Sequence, residues 1–138
     1  MEKINSLTGM TDLIETKADE NVLANKVFQT EKILKEIFTN YAMSEIRTPA
    51  LENTNLFKRS VGDTSDIVNK ELYTFSDKND KSITLRPEGT ASVMRSIIEK
   101  KLDGETHKLW YLGPMWRYER PQKGRFRQFN LSLIHISE

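Results

Sequence analysis

The sequence predicts an α+β fold in which a mostly antiparallel sheet is flanked by helices. Three observations carry this. Apolar residues recur at helical spacing from Asp19 to about Tyr41. The stretch "LYTFSDKNDKSITLRP" alternates apolar and polar residues on both sides of a polar turn. Two further strand-like segments, "HKLWYLGPMWRYER" and "GRFRQFNLSLI", succeed each other late in the chain. Strands adjacent in sequence favour antiparallel pairing, and helices set apart from them favour α+β over a wound parallel sheet.

In chain order, residues 1–17 read as irregular, with a turn at Gly9. The first helix places Leu23, Val27, Leu34, Ile37, Phe38 and Tyr41 on one stripe, with Asp19 as a candidate N-cap. "SEIRTP" (Ser44 to Pro49) is short and alternating. It reads as a strand at an edge or interface, with Thr48 biased to extended backbone by Pro49. "NTNLFKRSV" fits a short helix and "GDTSD" a loop. The hairpin is expected as a strand over Leu72 to Ser76, a turn over Asp77 to Lys81 and a strand over Ser82 to Arg86. A second helix begins after Pro87, puts Ala91, Met94, Arg95 and Ile98 on one face, and ends near Leu102 to Gly104. The strand from His107 is expected to bend at Gly113-Pro114. Residues Arg120 to Gly124 then join it to the last strand as a hairpin.

Composition narrows the function classes. The 138 residues suffice for one domain, and with 37% hydrophobic residues a core can form. A net charge of +1 gives no global argument for nucleic acid. There is no cysteine, so disulfides and thiolate zinc sites are excluded, and the two histidines, His107 and His135, form no ligand motif. No apolar run approaches the ~20 residues of a membrane span, and no signal-like apolar core opens the chain, so a cytoplasmic protein without membrane contact is expected. Asp63 and Asp66 match no calcium or zinc spacing, and His107 is expected at a strand edge without special chemistry.

Charge is instead concentrated in "MWRYERPQKGRFRQF" (Met115 to Phe129). Arg117, Arg120, Lys123, Arg125 and Arg127 are opposed only by Glu119. Alternation sends Arg125 and Arg127 to one face of their strand and Arg117 and Glu119 to one face of theirs, with Trp116 and Tyr118 turned toward the core side. Paired strands would converge these guanidinium groups, an arrangement suited to a phosphate-bearing ligand because the planar fork binds phosphate oxygens at two points. A solvated basic hairpin with its charges pointing into water explains the charge equally well, and a plain nucleic-acid-binding hairpin, without ATP or histidine selectivity, is a third reading. In "TLRPEGTA" (Thr84 to Ala91), Glu88 and Thr90 fall at a helix entrance. There Glu88 either caps the helix or receives a substrate ammonium, with Thr90 adding a hydroxyl.

"SEIRTPALE", "LRPEGTA" and "GPMWRYERPQKGRFRQF", in this order, resemble motif 1, the first histidine-recognition segment and motif 2 of bacterial histidyl-tRNA synthetases, which are class II aminoacyl-tRNA synthetases. The resemblance runs from about "LTGMTD" to Phe129. It implies a partial class II synthetase-like catalytic domain over residues 1–129 that binds histidine, ATP with Mg²⁺, and tRNA(His), and that forms a homodimer partly through motif 1. It implies that Arg117 holds the α-phosphate and the histidine carboxylate region as the catalytic cation. Glu119 and Arg125 contribute to ATP binding, and Glu88, Gly89 and Thr90 match the histidine-binding positions. No protein metal ligand is implied.

Residues 130–138 depart from the family pattern, which places a Gln at the position of Leu131 and an acidic residue at that of His135. This tail is expected to be aberrant, joined to a truncated reading frame. Motif 3 and the anticodon-binding domain are absent from the sequence, so the chain is expected not to aminoacylate alone. A rival resemblance is to the histidine-binding regulatory paralogue of ATP phosphoribosyltransferase, whose motif 2 arginines are usually relaxed.

Overall fold

The computed structural model describes residues 4–7, 10, 12–15, 22–62, 70–104, 106–118 and 132–136. In chain order its elements are α1 (Val22–Asn40), β1 (Ser44–Glu45), β2 (Leu51–Asn53), α2 (Thr54–Val61), β3 (Thr74–Ser76), β4 (Ser82–Leu85), α3 (Thr90–Glu99), β5 (His107–Tyr111) and β6 (Ser132–Ile136). The α+β expectation holds. The strands form two three-stranded sheets, ordered β1-β5-β6 and β2-β4-β3. All pairings are antiparallel except β1 with β5, which run parallel. The expected Gly9 turn and Asp19 cap, and the residues Asp63 and Asp66, lie outside the described residues.

Helix α1 buries a narrower seam than its periodicity implies. Ala24 and Phe38 are buried and Val27 and Leu34 half-buried, whereas Leu23, Ile37 and Tyr41 are 66%, 42% and 71% exposed. The apolar stripe is wide, and β5 contacts one side of it. Phe38 packs on Trp110 with ring centroids 5.1 Å apart. Met43 N–H returns to Phe38 O (2.9 Å) across Ala42, whose φ of 53° turns the chain out of the helix. The chain then enters β1, an edge strand as expected, and Ile46 N–H extends the contact by donating to Trp110 O (2.9 Å).

Glu45 of β1 accepts from Arg47 Nε (2.7 Å) and lies 3.5 Å from Lys35 of α1. The Arg47 hydrogen bond is the larger cause that holds the Glu45 carboxyl below its ordinary value of 4.5. A depressed carboxylate contributes stability above that value and loses it as the pH falls through the lower folded-state value. Thermal melts below pH 4.5 should therefore decline less steeply in Glu45→Gln than in the parent chain, and equal slopes would exclude this contribution.

The β3–β4 hairpin forms as its alternation predicts. Asp77 Oδ1 accepts from Asn79 N–H and Lys81 N–H, both at 2.8 Å, and Asp80 takes a φ of 58°. This Asx geometry is why a polar run turns here. One face of the sheet carries hydroxyls. Thr54 Oγ1 lies 2.8 Å from both Ser82 Oγ and Thr84 Oγ1, and Thr84 Oγ1 is 3.2 Å from Thr74 Oγ1. Asn53 caps α2 by accepting from Asn55 N–H (2.9 Å), and Phe57 of α2 is fully buried.

The core joins α3 to β5 through Val93, Ile97, Tyr111 and Met115. Ala91, Met94, Arg95 and Ile98 share one face of α3 as expected, but that face lines an open groove and the core packs on its neighbour. Met94 and Ile98 are 37% and 62% exposed, while Ala91, Ser92, Val93, Ser96 and Ile97 are buried. The helix has two apolar stripes. The one carrying Val93 and Ile97, with Ser92 and Ser96 beside them, is buried against Tyr111 and Met115.

His107 opens β5, which is a central strand and not an edge, and its Nε2 lies 2.7 Å from Leu102 O. The backbone of residues 132–136 pairs with β5 from Tyr111↔Ser132 to His107↔Ile136, so part of the divergent tail occupies a strand position. Among the described residues no helix is long and apolar enough to cross a membrane.

Candidate active site

The segment between β4 and α3 is held at both ends. Arg86 N–H donates to Ala50 O (2.9 Å), continuing the β2–β4 ladder, and Pro87 then turns the chain into α3. The Glu88 carboxylate accepts from the first two α3 amides, Thr90 N–H at 2.6 Å and Ala91 N–H at 3.0 Å. The capping reading of Glu88 is therefore realised. Each carboxylate oxygen retains a further acceptor site, so the cap orients the group without exhausting it. Gly89 lies against the Tyr111 ring, where an added Cβ would fall 2.3 Å from the nearest ring carbon. Thr90 is exposed, and its Oγ1 lies 3.3 Å from the Tyr111 hydroxyl.

Arg117 approaches from beyond β5. Trp116 N–H donates to Arg86 O (3.0 Å) and Tyr118 N–H to Glu71 O (2.8 Å), so residues 116–118 run beside both segments. Arg117 Nε donates to Pro87 O (3.0 Å), one residue before Glu88. The structure thus ties Arg117 to the backbone one residue before Glu88, at the start of the turn that carries Glu88, Gly89 and Thr90. Tyr118 is 54% exposed and meets Tyr73 edge-on, so it does not enter the core as expected, while Trp116 is half-buried. Glu119 and Arg125 lie outside the described residues, as does the expected convergence of arginines across the motif 2 hairpin.

Glu88 and Thr90 also line one end of an open groove of about 1070 Å³ between α2 and α3, whose walls include Leu56, Met94 and Ile98. Arg117 does not line it. Across the groove floor Arg95 Nη2 pairs with the buried Glu52 carboxylate at 2.8 Å, and Arg95 Nη1 with Glu99.

Two residues that sequence reasoning did not single out prove central here. Tyr111 supports Gly89 and Thr90 from below. Arg86, 8% exposed, spans three segments, and desolvation is the main cause pushing its pKa below the usual guanidinium value. The one signal in the sequence was an arginine at the end of an alternating strand, immediately before Pro87. Among the described residues no group of three or more His, Cys, Asp or Glu is placed to hold a metal ion.

Two small, mostly antiparallel sheets with flanking helices, and a segment beyond β5 that bonds back to the β4–α3 turn, fit a class II synthetase-like fold. The family model for histidyl-tRNA synthetase matches residues 20–131. The chain is 62% identical over 108 residues to a histidine–tRNA ligase of Desulfitobacterium hafniense, covering 77% of this chain and 26% of the relative. It is 60% identical over 102 residues to that of Geobacter sulfurreducens, covering 72% and 25%. Apo histidyl-tRNA synthetase from S. aureus superposes with a TM-score of 0.64 at 44% identity, over 86% of this chain and 30% of that one. The chain belongs to the histidyl-tRNA synthetase family.

A Bacillus halodurans structure described as an ATP phosphoribosyltransferase regulatory subunit/histidyl-tRNA synthetase superposes with a TM-score of 0.60 at 21% identity, covering 88% of this chain and 30% of that one. At that identity the likeness shows the fold alone. The chain spans about a quarter of the length of the curated relatives it matches.

Proposed function

We propose that this chain carries the N-terminal part of a histidine–tRNA ligase active site, in which histidine and ATP are brought together for conversion to histidyl-adenylate before transfer to tRNA(His). The observation that carries the reading is the Arg117 Nε bond to Pro87 O. It sets a cation one residue from a carboxylate already fixed by the α3 amides. Glu88 receives the histidine α-ammonium and Thr90 adds a hydroxyl acceptor. Gly89 lets the loop lie on Tyr111, and the Arg117 terminal nitrogens face the α-phosphate and the histidine carboxylate.

Adenylation is an in-line attack by a carboxylate on the α-phosphorus. The new C(O)O–P bond forms as the bond to pyrophosphate breaks, and the leaving electrons stay with pyrophosphate. Both reacting ends are anionic, so a fixed cation offsets their repulsion and stabilises charge that grows on the phosphoryl oxygens. The attacking carboxylate is already ionised, so positioning replaces general-base chemistry. Glu119 and Arg125 are assigned to ATP. When bound with ATP, Mg²⁺ would supply charge neutralisation at the phosphates, held there by the nucleotide since no cluster of three or more acidic or His ligands occurs among the described residues. In the whole protein we expect a cytoplasmic homodimer with motif 1 in its interface.

Calorimetric titration of histidine into the chain tests the ammonium site. Glu88→Gln keeps one cap acceptor but loses the ion pair, and is expected to weaken binding about tenfold or more. Undetectable histidine binding by the parent chain, or equal affinities, would sink the assignment. Histidine-dependent exchange of pyrophosphate into ATP should be absent for this chain, because it spans 26% of its relative's length. Measurable turnover would show the proposed half-site to be sufficient.

A further inference from the structure

We propose that Arg86 is a positioning residue that locks the Glu88 loop and the segment from Pro114 to Arg117 into one unit and ties that unit to Thr48. The functional part of its test rests on the histidine-binding reading above, whereas the geometric part does not.

Arg86 draws together chain segments far apart in sequence. Its Nη1 donates to Thr48 O (2.9 Å) and Thr48 Oγ1 (2.8 Å), and its Nε donates to Pro114 O (3.3 Å). Its backbone does the same work in parallel, donating to Ala50 O and accepting from Trp116 N–H. Residues 48–50 on one side and 114–116 on the other are thus held at fixed distances from residue 86. With Arg117 Nε on Pro87 O, the offset between Glu88 and Arg117 is set by these bonds. Gly113 confirms how close the fit is, since an added Cβ there would fall 2.7 Å from Arg86 Nη2.

The chemistry of the side chain explains why a cation occupies this place. A buried guanidinium with no carboxylate within ion-pair distance among the described residues is costly to desolvate. A hydrophobic residue of similar volume would avoid that cost, but it would leave Thr48 O and Pro114 O without their donor. Lysine keeps the charge, yet its single ammonium cannot reproduce a fork that reaches two segments in fixed directions. The arrangement therefore favours placement over stability.

The test compares Arg86→Gln and Arg86→Lys with the parent chain, using Phe57→Leu as a destabilised control whose side chain is buried under α2. Hydrogen exchange is monitored at the Trp116 amide, and at the Leu85 amide, which bonds to Tyr73 O beside the β3–β4 pairing. Histidine affinity is measured on the same samples. In Arg86→Gln the Trp116 amide should exchange about tenfold faster relative to Leu85, and histidine should bind about tenfold more weakly. Arg86→Lys should recover part of the thermal stability but little of the affinity, and it is the variant read if Arg86→Gln does not fold. Phe57→Leu should lower the melting temperature without a matching loss of affinity.

Unchanged Trp116 protection in a folded Arg86 variant would overturn the proposal. So would an affinity loss no greater than that of Phe57→Leu. If the parent chain does not bind histidine, the functional reading fails, and the Trp116 to Leu85 exchange ratio alone decides the role of Arg86.

Discussion

Gly89→Ala is expected to destabilise the chain by about 1–3 kcal/mol, the range for forcing a methyl into a packed core, and to abolish the histidine binding proposed for this loop. The backbone at Gly89 has φ −108° and ψ −20°, which alanine adopts without strain. Were conformational freedom the only issue, the substitution would stabilise by roughly 0.4–1 kcal/mol through the unfolded state. The sign of the change is thus diagnostic. A Cβ at this position would lie 2.3, 2.5 and 2.9 Å from three ring carbons of Tyr111. That ring cannot swing away, because Tyr111 is 5% exposed and packed in the cluster with Val93, Ile97 and Met115. The loop must lift instead, and it takes Glu88 and Thr90 with it. Denaturant melts of Gly89→Ala, Tyr111→Leu and the double variant separate the terms, since Leu at 111 makes room and should recover part of the loss. A neutral or stabilised Gly89→Ala would show that the loop does not rest on the ring.

Much of this architecture could be read from the residues, and the parts that could not have physical reasons. The β3–β4 hairpin was legible because Asp77 and the polar run after it supply their own turn hydrogen bonds, a local matter. The existence of α1 and α3 was equally local. Which face each helix buries was not, because that depends on the partner. In α3 the serine-bearing stripe is buried, and in α1 the far side of a wide apolar stripe faces away from β5. Glu88 could be read as a cap or as a ligand group. The cap is realised, and the ligand role is the one proposed above. Arg117 was found through its place in a motif, but its bond to Pro87 O joins residues 30 apart and no periodicity announces it. Arg86 and Tyr111 escaped notice for the same reason. A buried arginine bonded to carbonyls, and a tyrosine under a glycine, are defined by what touches them in three dimensions.

Arg95→Leu should cost about 3 kcal/mol, the lower end of the range for removing one member of a buried ion pair. Glu52 lies on β2 with its side chain only 7% exposed, and Arg95 of α3 reaches it at 2.8 Å while remaining 30% exposed itself. Hydrogen bonding to Glu52 is the first cause holding the Arg95 pKa above its ordinary value. Loss of the arginine leaves a desolvated carboxylate without a counter-charge. Loss of the carboxylate is milder, because Arg95 keeps Glu99 and opens to the groove. Glu52→Gln should therefore cost less than Arg95→Leu, and the double variant less than the sum of the two, since Gln beside Leu strands no charge. Urea denaturation of the three variants gives the cycle directly. The pair also joins the β2-β4-β3 sheet to α3, the helix whose entrance carries Glu88. If Arg95→Leu and Glu52→Gln proved equally mild and additive, the pair would be acting as an ordinary solvated contact, and the link between that sheet and the helix would have to lie in the packing of Phe57 and the α2–α3 contact instead.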